Sequence, residues 1–138
     1  MNKKAILLIA TVLFAAAGQA QTLGEIATMQ DRYQHCLDSG VDMQGCAKKY
    51  CMRMYEIVDT LSARYSRMLH QKERTAFEQE QRAWLKKRAQ NEKKQVAEFQ
   101  RELKSKEWGA DMFMLVYDAD AEFTRERVVV LIKRIEGR

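Results

Sequence analysis

The side chains able to do chemistry are few, and their spacing decides what each can do. Histidine occurs twice, at His35 and His70, and neither stands in the HExxH-type pattern that sets two imidazoles on one helix face over a metal. His35, Cys36 and Asp38 are all metal-ligand types. Adjacent residues on a helix point away from one another, so this trio lacks the ligand spacing of a zinc site. A Cys51 nucleophile would need a base beside it, and no spacing brings either histidine there. No glycine-rich phosphate loop or G-x-S-x-G elbow is present. Asp111, Asp118, Asp120 and Glu122 offer oxygen ligands, but without the glycine and terminal glutamate of an EF-hand calcium loop. These residues assign no catalytic group, no metal and no cofactor. They point to binding rather than catalysis.

The most informative short stretch is Gln81-Arg82-Ala83-Trp84-Leu85-Lys86-Lys87-Arg88. Gln81, Trp84 and Arg88 fall at i, i+3 and i+7 and so share one helix face. An indole flanked by an amide and a guanidinium suits a helix–helix seam, in which the ring packs and the polar ends find partners. The same trio would also serve as an exposed binding hot spot. The seam is favoured, because Trp84 lies near the main apolar stripe of its helix.

The three cysteines read as one disulfide and one remaining thiol if the chain is exported. Cys36 and Cys46 flank the turn signal Ser39-Gly40, which lets the chain fold back and bring them together. Cys36–Cys51 is the other pairing, since Cys46 and Cys51 lie little more than a helical turn apart. Cys51 is the expected free thiol, and it falls on an apolar stripe that would bury it.

The elements that must hold these residues read as helices. Proline is absent, and no glycine lies between Gly45 and Gly109. Residues 22–37 show apolar positions at helical spacing, broken by Ser39-Gly40. From Cys46 the set Tyr50, Met54, Ile57, Leu61, Tyr65 and Met68 repeats every three or four residues and defines one buried face. The pattern loses register over residues 70–73, where a short connection is expected. A long, polar helix then covers residues 75–106, with a narrow stripe of Phe77, Trp84, Leu85, Ala89, Val96, Phe99 and Leu103. Residues 82–106 hold nine basic and three acidic side chains, which reads as a solvated face. Trp108-Gly109 marks the next break, with Asp111 as an N-cap. Residues 111–136 complete the chain as a helix, with a kink expected near Asp118 and Asp120. The apolar run 112–117 has no strand to pair with, so its backbone is best satisfied as helix. The fold class is all-α, a small bundle of three to four helices whose second and third are long.

The first twenty residues set the cellular context. Lys3 and Lys4 precede an uncharged apolar stretch over residues 5–17, and Gly18 and Ala20 supply small residues at the positions a signal peptidase reads. Cleavage after Ala20 leaves a single helical domain over residues 21–138, in the periplasm or secreted, with no transmembrane anchor. Loss of Lys3 and Lys4 takes the formal charge from +5 to +3. Export removes nucleic acid as a partner, and the basic balance points to headgroups, wall polymers or an acidic partner.

Three motifs, taken in order, resemble the LprI-type lysozyme inhibitors, a family of small secreted bacterial proteins. The early pair Cys36 and Cys46 is followed by Leu61-Ser62-x-x-Tyr65, then Glu80-Gln81-x-x-Trp84-x-x-x-Arg88, then Thr124-x-x-Arg127-x-x-x-Leu131. The resemblance covers most of the chain after the leader. It implies a helical bundle, a structural or binding seam that includes Leu61, Tyr65, Gln81, Trp84, Arg88 and Arg127, and inhibition of lysozyme by occlusion. A chain at +3 is repelled by a basic, animal-type lysozyme, so contact would fall to a local acidic patch. Residues 111–122 are that patch, with Asp111, Asp118, Asp120 and Glu122 and no Lys or Arg. The residues alone leave a second expectation, a helical partner-binding module such as an immunity or adaptor protein, using the basic third helix against an acidic surface.

Overall fold

A computed structural model describes residues 22–102 and 110–138, apart from the side chain of Ala110. The predicted leader, Leu103 and the Trp108-Gly109 break lie outside the described residues. Four helices follow in order: α1 (Leu23–Asp38), α2 (Met43–Met68), α3 (Gln71–Glu102) and α4 (Ala110–Glu136). No strand occurs among the described residues, and the fold class is all-α.

Each start has a local cause. Thr22 caps α1 with a reciprocal pair: its Oγ1 accepts from the Glu25 N–H at 3.2 Å, and its own N–H donates to Glu25 Oε2 at 2.7 Å. Gly40 turns the chain at φ +66°, a left-handed conformation that costs glycine little. Asp42 then caps α2 by accepting from the Gly45 N–H at 2.9 Å.

The connection expected over residues 70–73 is shorter, and α3 already begins at Gln71. Arg74 explains the tightness. Its guanidinium donates to the carbonyls of Ser66 at 3.1 Å and Leu69 at 3.0 Å, satisfying the exposed end of α2 from within α3. Asp111 is not a cap either, because it lies inside the first turn of α4. α4 runs through Asp118 and Asp120 without a break in its helix.

The main packing surface joins α2 to α4. Tyr50, Met54, Ile57, Leu61 and Tyr65 are buried as their spacing predicts, against Ala121, Val128, Leu131, Ile132 and Ile135 of α4. Met68 is a correction, being 40% exposed, while the next residue, Leu69, closes the core. The backbone leaves the helix at Leu69 in an extended conformation and turns that side chain inward. α1 packs on α2, and α3 lies along α4 with a smaller contact on α2. Only Phe77 of α3 is fully buried, and Leu85 and Ala89 of its predicted stripe are exposed.

Candidate functional site

The seam forms between α3 and α4, over the floor that α2 provides. Gln81, Trp84 and Arg88 are each half-buried on one face of α3. Arg127 reaches them from α4 and is itself buried. Its Nε and Nη2 both donate to Gln81 Oε1, at 3.2 and 2.9 Å, and its Nη1 donates to Glu80 Oε1 at 2.6 Å. Arg134, two turns further along α4, donates to the same Glu80 carboxylate at 3.0 Å. One carboxylate thus bridges two guanidiniums, which is how a buried arginine keeps its charge compensated. Burial alone would raise the Glu80 carboxyl, but the hydrogen bonds and charges of Arg134 and Arg127 outweigh it and hold the group below its usual range.

Aromatic rings frame these charges. Trp84 stacks on Phe123 with centroids 6.0 Å apart, and Tyr65 meets Phe77 edge-on at 4.9 Å. Arg88 lies 4.1 Å from the centroid of Tyr55 on α2 and 5.7 Å from that of Trp84. Leu61, 1% exposed, and Tyr65 belong to the floor. The six residues predicted as a structural or binding seam therefore come together in one region. Sequence reasoning missed Glu80 as its hub, and missed Arg134, Tyr55 and Phe123 as members. The heptad spacing of Arg127 and Arg134 was a usable signal, since it puts two guanidiniums on one face of α4.

The four acidic residues of α4 do not form one patch. Asp111, Asp118 and Glu122 fall on one helix face and are exposed, with Leu115 between them at 41% exposure. Asp120 lies on the opposite face and is 4% exposed, which corrects its expected place in a partner contact. A helix advances by about 100° per residue, so Asp118 and Asp120 are turned apart even though only one residue separates them. Two of the surface carboxylates are anchored within the chain. Asp118 Oδ1 accepts from the Tyr33 hydroxyl at 2.8 Å, and Glu122 accepts from Arg125 Nε at 2.8 Å and from its Nη2. Asp120 instead meets the free thiol of Cys51, whose Sγ lies 3.9 Å from Oδ2. Desolvation pushes the Asp120 carboxyl up to about 6, against a small opposing effect of that thiol.

Cys36 and Cys46 are disulfide-bonded, with Cα atoms 5.9 Å apart, and Cys51 is free and buried. Desolvation, with the nearby Asp120 charge adding to it, pushes the Cys51 thiol up to about 12, so it stays protonated. Tyr33 and Tyr50 stack at 4.4 Å beside the disulfide, fastening α1 to α2. Met29, Arg32, Lys49 and Arg53 border a shallow groove there of about 530 Å³. His35 is exposed on α1 and His70 in the connection between α2 and α3, and no three His, Cys, Asp or Glu side chains converge to hold a metal ion among the described residues. No described helix is long and apolar enough to cross a membrane. The chain matches no family model, no curated protein and no solved structure.

Proposed function

We propose that the protein is an exported, non-catalytic binder of the LprI lysozyme-inhibitor type, and that it acts by laying the acidic face of α4 over the cleft of a lysozyme-type cell-wall hydrolase. The observation that carries the reading is the exposed row Asp111, Leu115, Asp118 and Glu122, an apolar side chain set among carboxylates on a rigid helix. Tyr33 and Arg125 hold two of those carboxylates in place before any partner arrives, which lowers the ordering cost of binding. The seam supports the same reading from the other side. Its polar groups are used within the chain, so the motifs shared with the inhibitor family serve as scaffold for a surface elsewhere.

The test is lysis of cell-wall substrate by lysozymes of different classes, with the purified export product added up to large excess. Inhibition near equimolar ratios is expected from one class at least. Asp111→Lys combined with Asp118→Lys should weaken it at least about tenfold, since charges at a contact set encounter and register. Asp120→Asn should leave it unchanged, because that carboxyl is buried. No inhibition of any class at large excess refutes lysozyme as the target. Equal loss from Asp120→Asn and the surface pair refutes the assignment of the face.

A further inference from the structure

The acidic and basic side chains of α3 are sorted around its axis. Counting about 100° per residue from Arg82, an arc of about 140° carries every cation of the helix except Arg74 and Arg88. Arg82, Lys93, Lys86 and Lys72 follow one another across the first part of it, and Arg101, Lys94 and Lys87 continue to the other edge. Only Thr, Ala and Gln fill the positions between, and every residue in the arc is exposed. All the glutamates of α3 lie outside it, and three of them are engaged by Arg138, by Arg127 with Arg134, and by Lys94 at the edge. The opposite side of the helix packs on α4 and α2, which leaves the basic arc uncovered by the described chain.

From this sorting we infer that the solvent face of α3 docks on the surface of an anionic lipid bilayer. The stripe from Lys72 to Arg101 is about 44 Å long at the rise of an α-helix, and a plane of headgroups can meet that whole length at once. A globular partner would touch only part of it. The face also lacks the buried aromatic and apolar anchors on which stable protein interfaces depend. It equally lacks the apolar residues that let an amphipathic helix sink into the acyl region, so contact stays at the headgroups. Lys and Arg near an anionic leaflet each add about 1 kcal/mol, so several acting together bind without any specific pocket. The inference stands whether or not lysozyme is the target of the acidic face.

The experiment is co-sedimentation of the export product with vesicles of phosphatidylglycerol and phosphatidylcholine in equal parts, and with vesicles of phosphatidylcholine alone. Binding to the first and not the second is expected, and it should fade as salt rises from about 0.1 M to about 1 M, where charges are screened within about 3 Å. Arg82→Gln/Lys86→Gln/Lys93→Gln should lose about fivefold per charge, roughly a hundredfold together. Glutamine is a good helix former, so helicity by circular dichroism should persist. Arg32→Gln/Lys48→Gln/Lys49→Gln removes the same charge away from the stripe and should cost far less. Equal loss from the two triple variants overturns the docking face in favour of net charge. Equal binding to neutral vesicles, or binding to a soluble poly(glycerol phosphate) with none to vesicles, overturns the bilayer assignment.

Discussion

Cys51 and Asp120 show how a single buried pair sets a pH response. Asp120 Oδ2 accepts from the thiol, while Oδ1 has no partner among the described residues and almost no contact with solvent. A carboxylate so placed loses hydration without full compensation, so its proton is retained up to about pH 6 rather than its ordinary 3.8. The sign follows from proton counting. Between those two values the folded chain holds a proton that the unfolded chain has released, so stability falls as pH rises through the window. Asp120→Asn should match the parent below about pH 4, where the carboxyl is neutral in both states. Above about pH 6 it should be more stable by about 1–3 kcal/mol, the lower figure allowing for an amide that also lacks full partnering. Urea unfolding at acid and neutral pH would measure both limbs, and a parent whose stability does not fall across the window would contradict the account.

At the scale of the element, α3 depends on its seam more than α2 or α4 does. It buries one side chain fully, and beyond the ties of Arg74 and Glu73 in its first turn it is held by Trp84 on Phe123, Arg88 on Tyr55, and the hydrogen bonds of Arg127 and Arg134. Arg127→Met keeps the length of the stem but strands Gln81 Oε1 and half of the Glu80 carboxylate. A loss of about 1–3 kcal/mol is expected. Amide exchange should then quicken along α3 while the α2–α4 core stays protected, and uniform quickening in all helices would count against a local role. This division of labour also explains what was legible beforehand. The face of α2 was readable because Tyr50 through Tyr65 obey one spacing and all lie buried in one continuous core. The start of α3 was not, because it is set by Arg74 reaching back to the carbonyls of Ser66 and Leu69, a contact that leaves no mark in apolar periodicity. The seam residues were legible as types on a shared face, whereas Glu80 became its hub only once Arg127 and Arg134 were brought across from α4. The acidic cluster misled for a related reason: nearness along the chain was read as nearness in space, and helical rotation carried Asp120 to the far side.

Across the whole molecule, α1 links the disulfide to the acidic face. It touches the bundle through few buried side chains, Ile26 and Tyr33 foremost, so its docking rests heavily on the bond between Cys36 and Cys46. Tyr33 stacks on Tyr50 and, through its hydroxyl, holds Asp118 on the surface of α4. The bridge closes a short loop, for which a contribution of about 2–3 kcal/mol is expected. Cys36→Ser/Cys46→Ser should therefore lower the melting temperature by about 10 °C for a chain of this size. The loss should be uneven. α1 should become labile to exchange and proteolysis while α2 and α4 retain their helicity, because α1 adds only Ile26 and Tyr33 to the buried core and the main packing surface is between α2 and α4. The chemical shift of the Asp118 carboxyl should move in the same variant as Tyr33 withdraws, without any substitution in α4. If α1 stays protected and Asp118 is unmoved, the aromatic stack holds α1 by itself and the disulfide has no part in shaping the acidic face.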